Sequence, residues 1–242
     1  MSDSCQNLSA VHQWVAIVPM RSGSKGLPSK NVRQLGGMPL YQHSVRVAQE
    51  AGASKIVLST DIESVIQRGH SDTVFLVRRP AKLAGDLSPM DGVVAHVLSH
   101  EVGLEISDST IVVLLQPTSP LRLPQDVHES IQLLVANDAD LAMGVTAVDS
   151  GVLKYGQIVD GRFVPLSRPE YCFANRQSLP EVVRPNGAIY AFRAGWFRRN
   201  GGFETSRIAA VSMPEERSID VDSVEDFERA EALLLKRREG AA

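Results

Sequence analysis

The sequence predicts an α/β protein built on a mostly parallel sheet with helices on both faces. Three observations carry this. Short apolar runs alternate with amphipathic stretches from residue 15 to residue 148. The runs are apolar throughout, as in strands covered on both faces. The chain has 242 residues, 43% hydrophobic and 22% charged, which is enough for one large core.

Residues 15–19 (VAIVP) read as a buried first strand, followed by a loop of small and basic residues. Leu40, Ser44, Val45, Ala48 and Ala51 recur at helical spacing, so residues 39–51 read as a helix with proline at its start. Residues 55–59 (KIVLS) read as a second strand, and Asp61 is placed to cap the next helix. Residues 74–77 (VFLV) look like a third strand. A helix beginning near Ser88 and Pro89 has Val93, Val94, Val97, Leu98 and Leu104 on one face. Residues 111–115 (IVVLL) are the most strand-like run. Val127, Ile131, Leu134 and Val135 mark another helix, and residues 141–148 another strand.

The pattern changes after Ser150. Residues 155–165 read as two short strands joined at Asp160-Gly161, with polar, arginine-rich sequence on to Arg184. Residues 150–184 are therefore expected to project from the sheet as an insertion. Residues 187–192 (GAIYAF) return to the core, 208–211 are a further strand, and a last helix runs from 223 to about 238. The expected organisation is a flexible N-terminus over residues 1–13 and a single domain over 14–242 that carries the insertion.

Several function classes drop out. The net charge is −3 and the pI about 6.1, so nothing global points to nucleic acid or an anionic membrane. No run approaches the ~18 apolar residues of a membrane span. Cys5 and Cys172 lack metal-type spacing, and the polar opening MSDSCQNLSAVHQ is unlike a signal peptide, so the expected location is cytoplasmic. Of the six histidines, only His96 and His100 share a helical i, i+4 spacing, without the glutamate of a zinc-protease motif.

Ligands of open α/β sheets bind outside the carboxyl ends of the strands. The segments after Pro19, Ser59 and Leu115 should therefore gather around one site. Residues 20–31 (MRSGSKGLPSKN) follow the first strand. Small residues there free backbone N–H groups to face an anion, and Arg21, Lys25 and Lys30 add positive charge: together a cradle for a triphosphate. It matches neither the Walker A loop nor the dinucleotide fingerprint. The rival reading is a solvated basic loop.

This loop resembles the opening of the acylneuraminate cytidylyltransferases, the CMP-sialic acid synthetases. Four further segments match that family in order: 59–61 (STD), 115–122 (LQPTSPLR), 184–190 (RPNGAIY) and 218–222 (SIDVD). The resemblance runs from about residue 15 to 232. It implies the Rossmann-like nucleotide-diphospho-sugar transferase fold and a reaction of CTP with a nine-carbon 2-keto sugar acid, giving the CMP-sugar and pyrophosphate. It also implies residue roles. Arg21, Lys25 and Lys30 would be catalytic; Arg21, Ser22, Gly23, Ser24, Lys25, Asn31, Asp86 and Asn186 would hold the nucleotide. Gln116, Arg176 and Tyr190 would hold the sugar acid. Leu87-Ser88-Pro89 departs from the family pattern at the base-binding region.

Asp220 and Asp222 are spaced i, i+2, which in an extended segment puts both carboxylates on one face, with Cα atoms roughly 6.5–7 Å apart. A Mg²⁺ can lie between them and touch phosphate oxygens. The competing reading is that these acids cap the last helix; the match to the family's metal pair favours Mg²⁺. Family members pair through the inserted hairpin, so a homodimer is expected, with Lys154 a candidate to cross between subunits. Arg122 is open between a structural and an active-site role.

The first rival is a cytidylyltransferase acting on the eight-carbon acid KDO, whose first loop usually reads RxxSxRLPGK; the SKGLPSKN of residues 24–31 favours the sialic branch. Sialic, legionaminic and pseudaminic acids are not separated by the sequence. A non-catalytic nucleotide-binding homologue is the second rival, and it is opposed by the presence of the whole charge set.

Overall fold

The computed structural model describes residues 13–23, 26–99 and 103–239. Of the expected flexible N-terminus only Gln13 falls among them; Ser24 and Lys25 of the basic loop, and His100, lie outside the described residues.

The core is a seven-stranded sheet. β1 (Trp14–Pro19) lies in its interior, buried at every residue. β1 pairs in parallel with β4 (Lys55–Thr60) on one side and β6 (Ile111–Leu114) on the other. β5 (Val74–Arg78) extends the sheet beyond β4, also in parallel. Beyond β6 the pattern breaks: β10 (Val182–Arg193) runs antiparallel to both β6 and β7 (Leu141–Val148). β11 (Ile208–Ser212) then pairs in parallel with β7 at the edge.

Alternate residues of each strand feed opposite faces. Ala16, Val18, Ile56, Leu58 and Val113 pack with Val47 and Ala48 of α1 (Leu40–Glu50) and Val127 and Leu134 of α4 (Pro124–Ala136). Ile17, Val57, Val112 and Leu114 pack on the other face with Val94 and Val97 of α3 (Met90–Leu98) and Phe197 of α5 (Ala194–Asn200). Burying an aliphatic side chain is worth about 1.5–3 kcal/mol, so these two layers dominate stability. A third cluster joins Leu27, Leu35 and Leu40 to Ile219, Val221, Phe227 and Leu234, the last two on α6 (Val224–Glu239). It pins the loop after β1 to the segment before α6.

The hairpin is as expected: β8 (Gly156–Val159) and β9 (Arg162–Pro165) are joined by Asp160 and Gly161, at φ 50° and 75°. Two positive φ values are what a two-residue turn matching strand twist requires.

β10 first pairs with β7 at Val182. Its register shifts between Pro185 and Tyr190, so residues 186–189 form a bulge inside the strand. Two expectations need correction. The helix after Ser88 stops at Leu98, and Leu104 is not part of it. Asp61 does not cap α2 (Glu63–Ile66); its carboxylate accepts from Ser22 N at 2.8 Å and Ser22 Oγ at 2.6 Å. Helix α5, the short β2 (Gln34–Leu35) and β3 (Met38–Pro39) were not signalled by periodicity. No helix among the described residues is long and apolar enough to cross a membrane.

Candidate functional site

A cavity of about 460 Å³ opens at the carboxyl ends of β1 and β6. Its walls include Arg21, Lys30, Asn31, Asp86, Gln116, Asp220 and Asp222, brought from distant stretches of chain. These sequence-predicted residues thus meet in one place.

The loop after β1 is tied down by hydrogen bonds near both ends. Met20 N donates to Ser59 O, and Asn31 Nδ2 donates to Arg21 O at 2.9 Å. Arg21 pairs with Asp86 at 2.7 Å across the cavity. Lys30 starts a 3₁₀ turn after Ser29, is buried, and reaches Asp222 with Nζ 2.6 Å from Oδ1. Gly26 lies flat against the segment before α6: a Cβ there would fall 2.3 Å from the Asp222 carbonyl oxygen. Val221 N in turn donates to Thr118 O at 2.7 Å, tying that segment to the loop after β6.

Asp220 and Asp222 alternate with the buried Ile219 and Val221, so both carboxylates face the cavity. Asp220 is exposed as a residue, yet protein atoms crowd its carboxyl group. That partial burial pushes its pKa up, and the neighbouring Asp222 adds to the rise; a Thr118 hydrogen bond and Lys30 pull the other way. A carboxylate held at this cost suits a cation. No group of three His, Cys, Asp or Glu that would hold a metal forms among the described residues. Two carboxylates with an open cavity nonetheless match Mg²⁺, which keeps waters and phosphate oxygens as its remaining ligands. Capping does not consume the pair: Ser223 Oγ accepts from Asp226 N, and Asp226 Oδ2 accepts from Ser223 N. Asp222 contributes only its backbone N–H to that cap.

Other sequence-predicted residues fall outside the cavity walls. Ser22 is engaged by Asp61, and Gly23 is exposed beside it. Asn186 is buried in the β10 bulge, where Oδ1 accepts from Ala188 N and Nδ2 donates to Ser218 Oγ. Tyr190 is half-buried; burial and the charge of Asp220 raise its phenol pKa. Arg176 is exposed on the insertion and pairs with Asp149. Lys154 Nζ donates to Ala174 O within its own chain. Ser24 and Lys25 lie outside the described residues.

Arg122 resolves as structural. It is fully buried, and its guanidinium donates to the carbonyls of Ser119, Ala188 and Gln116 and to Ser44 Oγ. Burial brings its pKa down to about 9. It fixes the turn that presents Gln116.

Sequence reasoning missed Arg79 and Thr118. Arg79 follows β5, is buried, donates to Ser59 O at 2.9 Å and lines the cavity; burial lowers its pKa to about 10. The available signal was its place just past a strand's carboxyl end. Thr118 sits two residues after Gln116, in a segment whose hydroxyl was not considered.

A family model described as Cytidylyltransferase matches residues 15–233. The N-acylneuraminate cytidylyltransferase of Streptococcus agalactiae serotype III (strain NEM316) is 32% identical over 224 residues, covering 88% of this chain and 51% of that protein. The CMP-N,N'-diacetyllegionaminic acid synthase of Legionella pneumophila is 30% identical over 242 residues, 93% of this chain and 97% of that protein. The chain spans about half the length of the streptococcal relatives it matches. A solved CMP:2-keto-3-deoxy-manno-octonic acid synthetase complexed with CTP superposes with a TM-score of 0.67 at 20% identity, covering 93% of this chain and 99% of that one, which shows a shared fold.

Proposed function

Since the chain belongs to the cytidylyltransferase family, matched over residues 15–233, we propose that it activates a nine-carbon 2-keto sugar acid with CTP. The sugar's anomeric hydroxyl oxygen bonds to the α-phosphorus and gives up its proton to solvent, the bond from that phosphorus to the bridging oxygen breaks, and pyrophosphate leaves. The observation that carries this reading is the single cavity in which Arg21, Lys30 and Arg79 face Asp86, Asp220 and Asp222.

Nucleotidyl transfer asks for positioning and charge neutralisation more than covalent help. Arg21 and Lys30, with Lys25 from the same loop, would meet the triphosphate. Asp220 and Asp222 would hold Mg²⁺, which when bound offsets charge on the triphosphate and the departing pyrophosphate. Gln116, presented by the Arg122-braced turn, offers both a donor and an acceptor to the sugar acid. Arg176 and Tyr190 are assigned to the same substrate. Asp86 and Asn186 are assigned to the nucleotide side, Asn186 through the bulge it stabilises.

A homodimer completes the proposal. Ile158, Phe163 and Leu166 of the hairpin region are largely exposed, and Phe173 is 92% exposed. Two strands alone are marginal in water, and contiguous apolar surface marks a contact site. A second copy of the chain would cover it.

The test is pyrophosphate release with CTP, Mg²⁺ and a panel of acids: N-acetylneuraminic, legionaminic, pseudaminic and KDO. Turnover with a nine-carbon acid and strong preference for CTP over ATP, GTP and UTP are expected. Equal turnover with GTP overturns the donor assignment, and turnover with KDO alone overturns the acceptor. A monomeric mass at micromolar concentration with full activity overturns the dimer.

A further inference from the structure

A second cavity, of about 370 Å³, lies against the face of the sheet that α1 covers and shares no wall residue with the first. It exists because α2, the crossover between β4 and β5, is a single turn and leaves part of those strands bare. Its floor is apolar: Leu58 and Val65 are buried, with Val45, Val74 and Leu76 around them. Its rim is cationic and amide-rich, with Arg46, Arg68, Gln42 and Gln49, and among the described residues no carboxylate lines it.

The polar groups here hold more donors than acceptors. Arg46 Nε is buried and makes no hydrogen bond; its charge is met by an i, i+4 ion pair with Glu50 at 3.7 Å, too long for one. Tyr41 Oη accepts from Arg68 at 3.2 Å and from Gln42 at 3.4 Å, and no described residue accepts its own proton. A buried donor left unmade is costly, and a guanidinium N–H bound to an anion gains about twice what a neutral pair does. The volume lies within the range of small-molecule sites, which are apolar with a few placed polar groups.

We propose that this cavity binds an amphipathic carboxylate, with its apolar body on Leu58, Val65 and Leu76 and its anionic head on Arg46, Arg68 and the Tyr41 hydroxyl. Neither half of such a ligand suffices: the floor offers nothing to a bare anion, and the rim donors gain nothing from a hydrocarbon. The site stands independently of the nucleotide chemistry proposed above.

The probes are octanoate, octanol and sulfate, titrated into the full chain while methyl NMR signals of Val45, Leu58, Val65 and Leu76 are followed. Octanoate should shift these signals saturably. Octanol and sulfate should each bind at least roughly tenfold more weakly, a comparison that needs no variant. The double substitution Arg46→Leu with Arg68→Leu should weaken octanoate roughly tenfold to a hundredfold; its melting curve verifies that it folds. Equal binding of octanoate and octanol, shifts gathered around Met20 and Gln116 instead, or no saturable shift would each overturn the proposal.

Discussion

Gly26 and Asp222, 196 positions apart, touch backbone to backbone: a Cβ on the first would sit 2.3 Å from the carbonyl oxygen of the second. Glycine is needed there for approach, since its φ is ordinary. Gly26→Ala should push the basic loop off the Asp220–Asp222 segment. Misplacement by about an ångström costs on the order of a hundredfold in turnover. Steady-state kinetics beside a thermal melt should show a large loss of kcat with a folded protein.

Asp220→Asn and Asp222→Asn should each cost orders of magnitude in rate, if the pair holds Mg²⁺ as proposed, and shift the melting point of the metal-free protein little. Ser223→Ala should behave in the opposite way, costing about 1 kcal/mol of stability through the lost cap with turnover largely kept. A folded Asp222→Asn protein turning over at the normal rate would falsify the metal assignment.

Arg122→Met should destabilise strongly. It takes a donor from the buried Ser119 and Ala188 carbonyls and from Ser44 Oγ and Gln116 O, and each buried group left unsatisfied costs about 1–3 kcal/mol. Urea unfolding should register a loss of at least about 3 kcal/mol. A loss within the range of ordinary surface changes would remove the bracing role.

His43 predicts a pH dependence of stability. Its Nε2 donates to Leu35 O at 2.9 Å, Nδ1 is buried without a partner, and burial lowers its pKa from 6.5. The unfolded chain therefore takes up a proton at a pH where the folded chain does not. Its contribution is present above pH 6.5 and is lost as pH falls below it towards the folded value. The melting point should drop between about pH 8 and 5.5, and by less in His43→Gln, which keeps a donor but does not titrate.

Arg176→Ala should barely move stability, because its partner Asp149 and the arginine itself are exposed and such pairs are worth about 0–1 kcal/mol. Under the proposed role, KM for the sugar acid should rise roughly tenfold to a hundredfold with KM for CTP unchanged. An unaltered sugar KM would place the acceptor carboxylate elsewhere.

The strands β1, β4, β6 and β7 were legible because a buried parallel strand announces itself as an apolar run. The start of β10 was not: Arg184-Pro185-Asn186-Gly187 carries turn chemistry, and only pairing with β7 turns it into a bulge. The cavity's loop residues were legible from their place after strands. Arg79 was not, since an arginine after a strand reads equally well as solvated surface until burial is known. The contact between Gly26 and Asp222 has no local signature, because it depends on two distant segments meeting.

The lone reversed strand also sets an order of assembly. Among the described residues β7 has hydrogen-bonding neighbours only in β10 and β11, both of which follow it in the chain. During synthesis, β1, β4, β5 and β6 can pair as soon as they emerge, leaving β6 as an open edge. β7 must wait, unpaired, through the whole hairpin insertion until β10 arrives to join the two halves. For that interval a nascent chain exposes two apolar strand edges, the kind of surface on which chains aggregate. Slow translation across residues 149–193 would prolong the exposure, and chaperone demand should be greatest there.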